Sequence, residues 1–486
     1  MKAAPSTNRQ KIGILAALPA ALILASCMTA GPNYKKPEVA VPSAFRSQVT
    51  ASQASSLADL PWWNVFEDKT LQALINEGLA NNYDVQVAAA RIEQARALVG
   101  VAQSEGKPQL GYDAAAGRET TFAPAPEGNL GTVTFNSLGA GLNASWEFDI
   151  WGRIRRSTEA AQANLYAQEE VRSGVLLTLV SDIATGYFRL LELDRELVIA
   201  EESSRVFGRT RDLFKLRFEA GRDSNLPYQR AEGLYNASIA RTHDLRRLIG
   251  QQENALSVLL GGYPRTIVRG RGLLEQVTPE TPLGSTTDLL QRRPDIRAAE
   301  QTMIRANAEV GVAMADFFPR IGIGALLGGI GVGISDDFDG FTVGRLALSV
   351  TGPIFTGGRL QAIYHERQAF WNETVVQYRK TIVIAFQETS DALVAQQTLV
   401  ARRAALENQV TALRRSSDLA LTRYDAGRAS YFEVLEAQQQ LFPAEDELAQ
   451  TQRDELLAVV GLYRALGGGW KTPATGPQSA PAAGLE

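Results

Sequence analysis

The most extended hydrophobic pattern in the chain is a heptad. Between Ser157 and Phe218 there is no proline, and two rows of apolar residues hold coiled-coil spacing: Leu176, Ile183, Leu190, Leu197, Phe218 and Leu179, Leu193, Ala200, Phe207, Phe214. At 1.5 Å per residue the predicted helix is roughly 90 Å or more long. A second proline-free stretch from Gln361 to Tyr424 has a poorer seam, with Ala385, Ala392 and Ala420 beside Leu399, Leu406 and Leu413. Small residues there permit close helix packing. Shorter helices are predicted from about Leu226 to Leu260, and from behind Ser430 to Leu466, where Gly467-Gly468-Gly469-Trp470 stops the pattern. Another runs through Leu71, Leu74, Ile75, Leu79, Val87, Ile92 and Leu98 and halts before Pro108. Elsewhere the period falls to two. Leu138, Ala140, Leu142, Ala144, Trp146 and Phe148 alternate with Ser137, Gly139, Gly141, Asn143, Ser145 and Glu147, which predicts a strand with one apolar face. Leu110, Tyr112, Ala114 and Ala116 form its partner across the Ala123 to Gly131 loop, and Ile321, Ile323, Ala325 with Leu346, Leu348, Val350 form a second pair.

These elements repeat. Val99-Gly100-Val101-Ala102 recurs as Val310-Gly311-Val312-Ala313, about 211 positions on, and Gly152-Arg153-Ile154 recurs as Gly358-Arg359-Leu360 at an offset of about 206. The second strand loop is therefore about five residues shorter. Arg217-Phe218-Glu219-Ala220-Gly221-Arg222 is echoed by Arg423-Tyr424-Asp425-Ala426-Gly427-Arg428, each a glycine stop followed by a helix restart, so each is the bend of a helical hairpin. Ser430 with Glu433 makes a capping box at one restart, and Pro227 near the first helical position serves the other. The expected organisation is a signal segment over 1–26, a tether over 27–66, a first repeat over 67–262, an inter-repeat segment over 263–285, a second repeat over 286–466 and a flexible tail over 467–486. One chain supplies four strands. The smallest membrane barrels have about eight, and an open edge in lipid leaves backbone groups unpaired at several kcal/mol each, so membrane insertion demands oligomerisation. Two chains give eight strands and a filled interior; three give twelve and a lumen.

Charge and cysteine usage narrow the setting. Lys2, Arg9 and Lys11 precede an apolar run from Ile12 to Leu24, too short to span a bilayer and ending in Leu24-Ala25-Ser26-Cys27. That ending resembles the bacterial lipoprotein cleavage box, which implies that Cys27, the only cysteine, becomes the acylated first residue. By the same resemblance it would carry N-acyl (palmitate-type) and S-diacylglycerol lipid, and Met28 after it would favour the outer membrane. Cleavage takes the balance from 49 basic against 53 acidic residues to 46 against 53, about −7. Nothing in this balance suggests nucleic acid. No later run of about 18 uninterrupted apolar residues occurs, so spanning falls to strands. His243 and His365 lack metal-ligand or triad spacing, and the Gly322 to Gly333 run lacks the lysine of a phosphate loop, which argues against an enzyme and predicts no cofactor beyond the lipid and no metal. A lipid-anchored coiled-coil scaffold or adhesin explains the heptads but not the alternating strands.

Gly31-Pro32-Asn33-Tyr34, Trp62-Trp63 with Phe66, Asp149-Ile150-Trp151-Gly152-Arg153, Arg292-Arg293-Pro294-Asp295-Ile296-Arg297, Gly357-Gly358-Arg359-Leu360, both Ala-Gly-Arg bends and Leu462-Tyr463-Arg464-Ala465-Leu466-Gly467-Gly468 together resemble the TolC-like outer-membrane efflux proteins, in their lipoprotein, NodT-like branch. The resemblance covers essentially the whole mature chain. It implies a mixed fold, an α-helical barrel plus a transmembrane β-barrel, closed by three internally duplicated protomers into twelve strands and a twelve-helix periplasmic tunnel. It also implies a passive exit duct for small molecules, served by a periplasmic membrane-fusion adaptor and an inner-membrane RND-type pump. Six bends would then ring the periplasmic mouth, placing adaptor docking on Ala220, Gly221, Arg222, Ala426, Gly427 and Arg428; the simpler reading has the two glycines only end helices. By the same resemblance, an apolar residue and an acid four positions later form the gate, here Phe432 and Glu436, which share one helix face. The competing reading makes Phe432 bundle core and Glu436 a solvated acid.

Overall fold

A computed structural model describes residues 29–46, 65–124, 130–277, 279, 286–334 and 337–468. Cys27, the signal segment, Trp62-Trp63, Ser285 and the tail from Gly469 onward lie outside the described residues. In chain order the elements are α1 Lys69–Asn81, α2 Tyr83–Ser104, β1 Gln109–Pro124, β2 Leu130–Phe148, α3 Arg153–Glu219, α4 Asn225–Leu259, a single 3-10 turn Leu273–Glu275, α5 Asp288–Arg292, α6 Pro294–Ala315, β3 Arg320–Ile334, β4 Asp337–Thr351, α7 Arg359–Asp425 and α8 Tyr431–Ala465. Both long helices have 67 residues, about 100 Å at 1.5 Å each, and α4 and α8 have 35 apiece. The expected hairpin lengths and bends are therefore present.

Two expected single helices are split. The apolar period runs unbroken from Leu71 to Leu98, yet the backbone leaves the helix at Asn82, with φ −61° and ψ 133°. Its side chain makes the break stable: Asn82 Oδ1 accepts from the Asp84 and Val85 backbone N–H groups, and Nδ2 donates to the Leu259 carbonyl at 2.9 Å. In the second repeat the break falls at Arg293, before Pro294, where the proline ring disfavours helix in the preceding residue.

The chain divides into two compact units. The first comprises the described residues within 1–38, 91–168 and 299–378. It contains one four-stranded antiparallel sheet in the order β1-β2-β3-β4. The Gly31-Pro32-Asn33 segment is bound to it by Arg156, which is buried and donates to the Ala30, Gly31 and Pro32 carbonyls and to Asn33 Oδ1 at 2.7 Å. Gly31 has φ +81°, and a Cβ there would lie 2.6 Å from the Gly311 Cα, so close backbone approach and left-handed geometry both demand glycine. Asp149 caps α3 through the Ile154 and Arg155 N–H groups, Arg153 bridges Glu147 and Glu105, and Trp151 donates to the Pro319 carbonyl while stacking on Phe318. The Asp149 to Arg153 motif is thus a structural clasp.

The second unit comprises the described residues within 39–90, 169–298 and 379–486. Its core is centred on α3, where Ile183, Tyr187, Phe188 and Leu190 are fully buried; each such side chain contributes about 1.5–3 kcal/mol. Asp68 caps α1 through the Thr70 and Leu71 N–H groups and also accepts from Tyr187 Oη and Gln276 Nε2, while Arg269 pairs with Asp194 at 2.9 Å and with Glu253. These bonds fasten the described part of the inter-repeat segment to the helices. Arg293 does the same at the end of α8: it is buried, donates to the Ala465 carbonyl at 2.9 Å and pairs with Asp295 and Glu388. One window of α3 is apolar and long enough for a membrane span, but two-thirds of it is buried against the chain itself, as a bundle core requires.

Candidate conduction surfaces

The sheet has two chemically distinct faces. Directly paired residues on antiparallel strands share a face, so the register defines cross-strand rows. Leu110, Ala144, Ala325 and Leu346 form one row, and Trp146, Ile323 and Leu348 another. Tyr112, Leu142 and Leu327 make a third on the same face. Gly111, Asn143, Leu326 and Arg345 lie opposite, with Ser137, Ser145 and Ser349 on that same side. The apolar residues of the alternating pattern, Leu138, Leu142, Trp146, Ile321, Ile323, Leu346 and Leu348, are thus co-facial, and Ser137, Asn143, Ser145, Arg345 and Ser349 are on the other face. Asn143 Nδ2 donates to Asp113 Oδ1 at 3.0 Å across that polar face. The second face is less polar than the alternation in β2 implies, because Ile330, Val332 and Phe341 are also on it. β1 pairs only with β2 and β4 only with β3, so each has an unpaired edge among the described residues.

Both bends are closed alike. At the first, the Arg222 N–H donates to the Arg217 carbonyl and Gly221 N–H to Phe218; at the second, Arg428 donates to Arg423 and Gly427 to Tyr424. This double closure places glycine in the left-handed region, at φ +66° and +67°. The next helices start at Ser224 and Ser430. Neither hydroxyl caps, but Glu433 accepts from the Ser430 N–H at 3.4 Å, so only the carboxylate half of the expected capping box is made through a side chain. Ala220, Gly221, Arg222, Ala426, Gly427 and Arg428 are all exposed. Across the bends, the Arg217 guanidinium lies over the Tyr424 ring at 5.5 Å.

Phe432 and Glu436, the residues expected at a gate, are on one exposed face of α8. Phe432 is 59% exposed, and Glu436 is exposed beside it. The bundle core at this level is filled instead by Val434, Leu435 and Tyr431, whose ring packs edge-on against Phe214 and Tyr424 and touches Thr210. A partner that the sequence did not reveal is Arg230 of α4, whose guanidinium lies 5.9 Å from the Phe432 ring centre, a cation–π contact. Arg230 and Phe432 are separated by too many residues for any local pattern to pair them.

Above the bends, α3, α4 and α8 share a buried polar cluster. Glu192 pairs with Arg453 at 3.0 Å and Arg189 at 3.2 Å, and Glu196 pairs with Arg241 at 2.6 Å and accepts from Gln450 at 2.7 Å. Burial raises Glu192 above the usual carboxylate range despite both arginines. His243 and His365 are exposed, and no group of three or more His, Cys, Asp or Glu suited to a metal occurs among the described residues.

The same arrangement is found in known proteins. The family model described as outer membrane efflux protein matches residues 74–262 and 286–468. The chain is 31% identical over 462 residues to the cation efflux system protein CusC of Escherichia coli O6:H1, covering 93% of this chain and 97% of the relative. It is 34% identical over 413 residues to the solvent efflux pump outer membrane protein SrpC of Pseudomonas putida, covering 83% and 86%. The open state of the MtrE outer membrane channel of Neisseria gonorrhoeae superimposes with a TM-score of 0.78 at 28% identity, over 91% of this chain and 99% of that one. With duplicated hairpins, a two-faced sheet and family matches to both repeats, the chain belongs to the outer membrane efflux protein family.

Proposed function

We propose that three copies close into the exit duct of a tripartite efflux pump, which passes small molecules outward when docked to a periplasmic adaptor and an inner-membrane RND-type transporter. The observation that carries this reading is the sheet: an apolar face fit for lipid, bounded by the unpaired edges of β1 and β4. Pairing β4 of one protomer with β1 of the next removes every edge, and three copies leave a lumen. Val383 and Val394 of α7, exposed and on one helix face, supply apolar surface for the same association. Relatives are named for cations, solvents, toluene and antibiotics, so cargo does not follow from family membership.

The gate belongs to this reading. Three Phe432 rings would form an apolar plug beside three Glu436 carboxylates, whose mutual repulsion at about 10 Å and an effective dielectric of about 20 is roughly 1.7 kcal/mol per pair. Phe432 is free for this role because it is not in the protomer core. Planar-bilayer recording of the detergent-extracted oligomer tests the whole proposal. Wild-type protein should conduct, and Phe432→Ala with Glu436→Ala should raise single-channel conductance without loss of the heat-modifiable trimer. A water-soluble, non-conducting species after delipidation would favour a coiled-coil scaffold.

Two further assignments accompany it. Adaptor docking on the bends predicts that Arg222→Glu with Arg428→Glu abolishes efflux at normal trimer yield; trimer loss would make the bends a folding feature. Lipid on Cys27 predicts an acylated mature N-terminal peptide by mass spectrometry, and an unmodified peptide beginning elsewhere would remove the anchor.

A further inference from the structure

A cavity of about 230 Å³, open to solvent past the exposed Ala237, Gln439 and Pro443, lies where α4 and α8 flank α3, within the helical unit. Its floor is buried α3 surface, Ile199, Ala200 and Phe207, and its walls include Leu234 and Ala237 of α4 and Phe442 and Pro443 of α8. The two ends differ. Toward the bends, Phe207 and Phe442 meet edge-on with ring centres 5.6 Å apart. At the other end are Arg241 and Asp446.

The charges at that end are unevenly satisfied. Arg241 is committed to Glu196 at 2.6 Å, with Asp244 at 3.7 Å. Asp446 Oδ1 is buried and has no hydrogen-bond partner among the described residues. A second acceptor comes from the backbone: Pro443 has no N–H, so the Gln439 carbonyl, on a residue that also lines the cavity, lacks the donor four residues on that every regular helix supplies. A ligand that brings N–H donors would satisfy both acceptors.

We propose that this cavity binds compact amphipathic ammonium ions, with the hydrocarbon or aromatic body against Phe207 and Phe442 and the ammonium donating to Asp446 and the Gln439 carbonyl. Its volume is below the roughly 300–1,000 Å³ of drug-sized sites, which restricts the class to a single ring or short chain. An anion is disfavoured because Asp446 faces it, and a neutral alcohol leaves the carboxylate charge unmatched. The site is independent of the duct reading.

Binding is linked to protonation. Burial, then Glu196, push the Asp446 carboxyl up to about 7, with Arg241 opposing and Glu445 and Glu192 adding to the rise. Glu445 is itself paired with Arg414 of α7 at 2.6 Å. The ammonium site therefore gains its charge as pH rises through neutrality.

The test uses the full-length oligomer in detergent, with 2-phenylethylamine as probe and 2-phenylethanol as its neutral counterpart, followed by calorimetry and saturation-transfer NMR. The amine should bind at least about tenfold more tightly than the alcohol, and more tightly at pH 8 than at pH 6, where it is protonated at both. Asp446→Asn should remove that preference, and Ala237→Leu, which fills the cavity, should abolish binding of both probes. Should Asp446→Asn fail to assemble, the alcohol comparison and Ala237→Leu still decide. Equal affinity for the two probes, undiminished binding to Ala237→Leu, or no binding of the amine at millimolar concentration overturns the proposal.

Discussion

The two helical hairpins share one backbone plan and differ in what they bury. α3 and α7 are displaced by about 206 positions along their whole length, as are α4 and α8. At equivalent positions the first has Glu196 paired with Arg241 at 2.6 Å, and the second has Arg402 paired with Glu447 at 2.7 Å, the same ion pair with its charges exchanged. The first acid is 4% exposed and the second pair nearly half exposed on both sides. Likewise, Leu193 is buried in a cluster with Ala200 and Leu245, whereas its counterpart Leu399 is only half-buried. α3 is enclosed by α4 and α8 of its own chain; α7 turns Val383, Val394 and Val400 outward. Duplication has thus preserved length and bend while leaving the second long helix less enclosed than the first at these positions.

The sheet makes the opposite case, and there the halves should respond alike. Leu142 and Leu348 occupy equivalent positions on one face. Leu142→Arg and Leu348→Arg should each cost about 2–4 kcal/mol per protomer near the bilayer midplane, while Asn143→Arg on the other face is tolerated. Yield of heat-modifiable oligomer in outer-membrane fractions measures this. Tolerance of arginine at both parities would mean the face does not meet lipid.

In the helices the halves should respond differently. Glu196→Gln leaves Arg241 and Gln450 without a carboxylate and should cost about 1–3 kcal/mol, less than a fully buried pair because Arg241 reaches water. Arg402→Gln, at an exposed pair, should cost about 1 kcal/mol or less. Denaturant midpoints compare them directly, and equal losses would show that a neighbouring protomer covers α7 as fully as α8 covers α3.

The smallest effect is a difference in pH response. Asp446 has Ala240 as its counterpart in the first hairpin, so the titrating group is confined to the second. Its folded pKa is raised, so between the ordinary aspartate range and about pH 7 the folded state holds a proton that the unfolded state has released. Stability therefore falls as pH rises through that window. Asp446→Asn should flatten the slope of thermal midpoint against pH between about 4 and 7; an unchanged slope would place the titration elsewhere.

The features that were legible in the sequence are local in character. Gly221 and Gly427 mark the bends because a left-handed helix stop needs glycine wherever it occurs, and strand alternation gives the faces because its period is two. The Asn82 break was hidden because apolar periodicity continues across it, and only the distant Leu259 carbonyl reveals why an asparagine is there. Similarly, Gly31, Arg153 and Arg293 mark a family by pattern, but their work as clasps is tertiary. Arg230 over Phe432, and the cavity formed by Phe207, Ala237 and Asp446, bring together residues about 200 or more positions apart, beyond any window that periodicity can read.

The unpaired strand edges also bear on genetics. In a ring of three, β4 of each protomer can be satisfied only by β1 of the next. A variant that folds and inserts but has a spoiled edge still takes a seat in the ring. With equal synthesis and random mixing, only about one ring in eight would be free of it. Edge lesions should therefore be dominant over the wild-type allele, whereas lesions of the α3 core, which remove the protomer before it meets a partner, should be recessive.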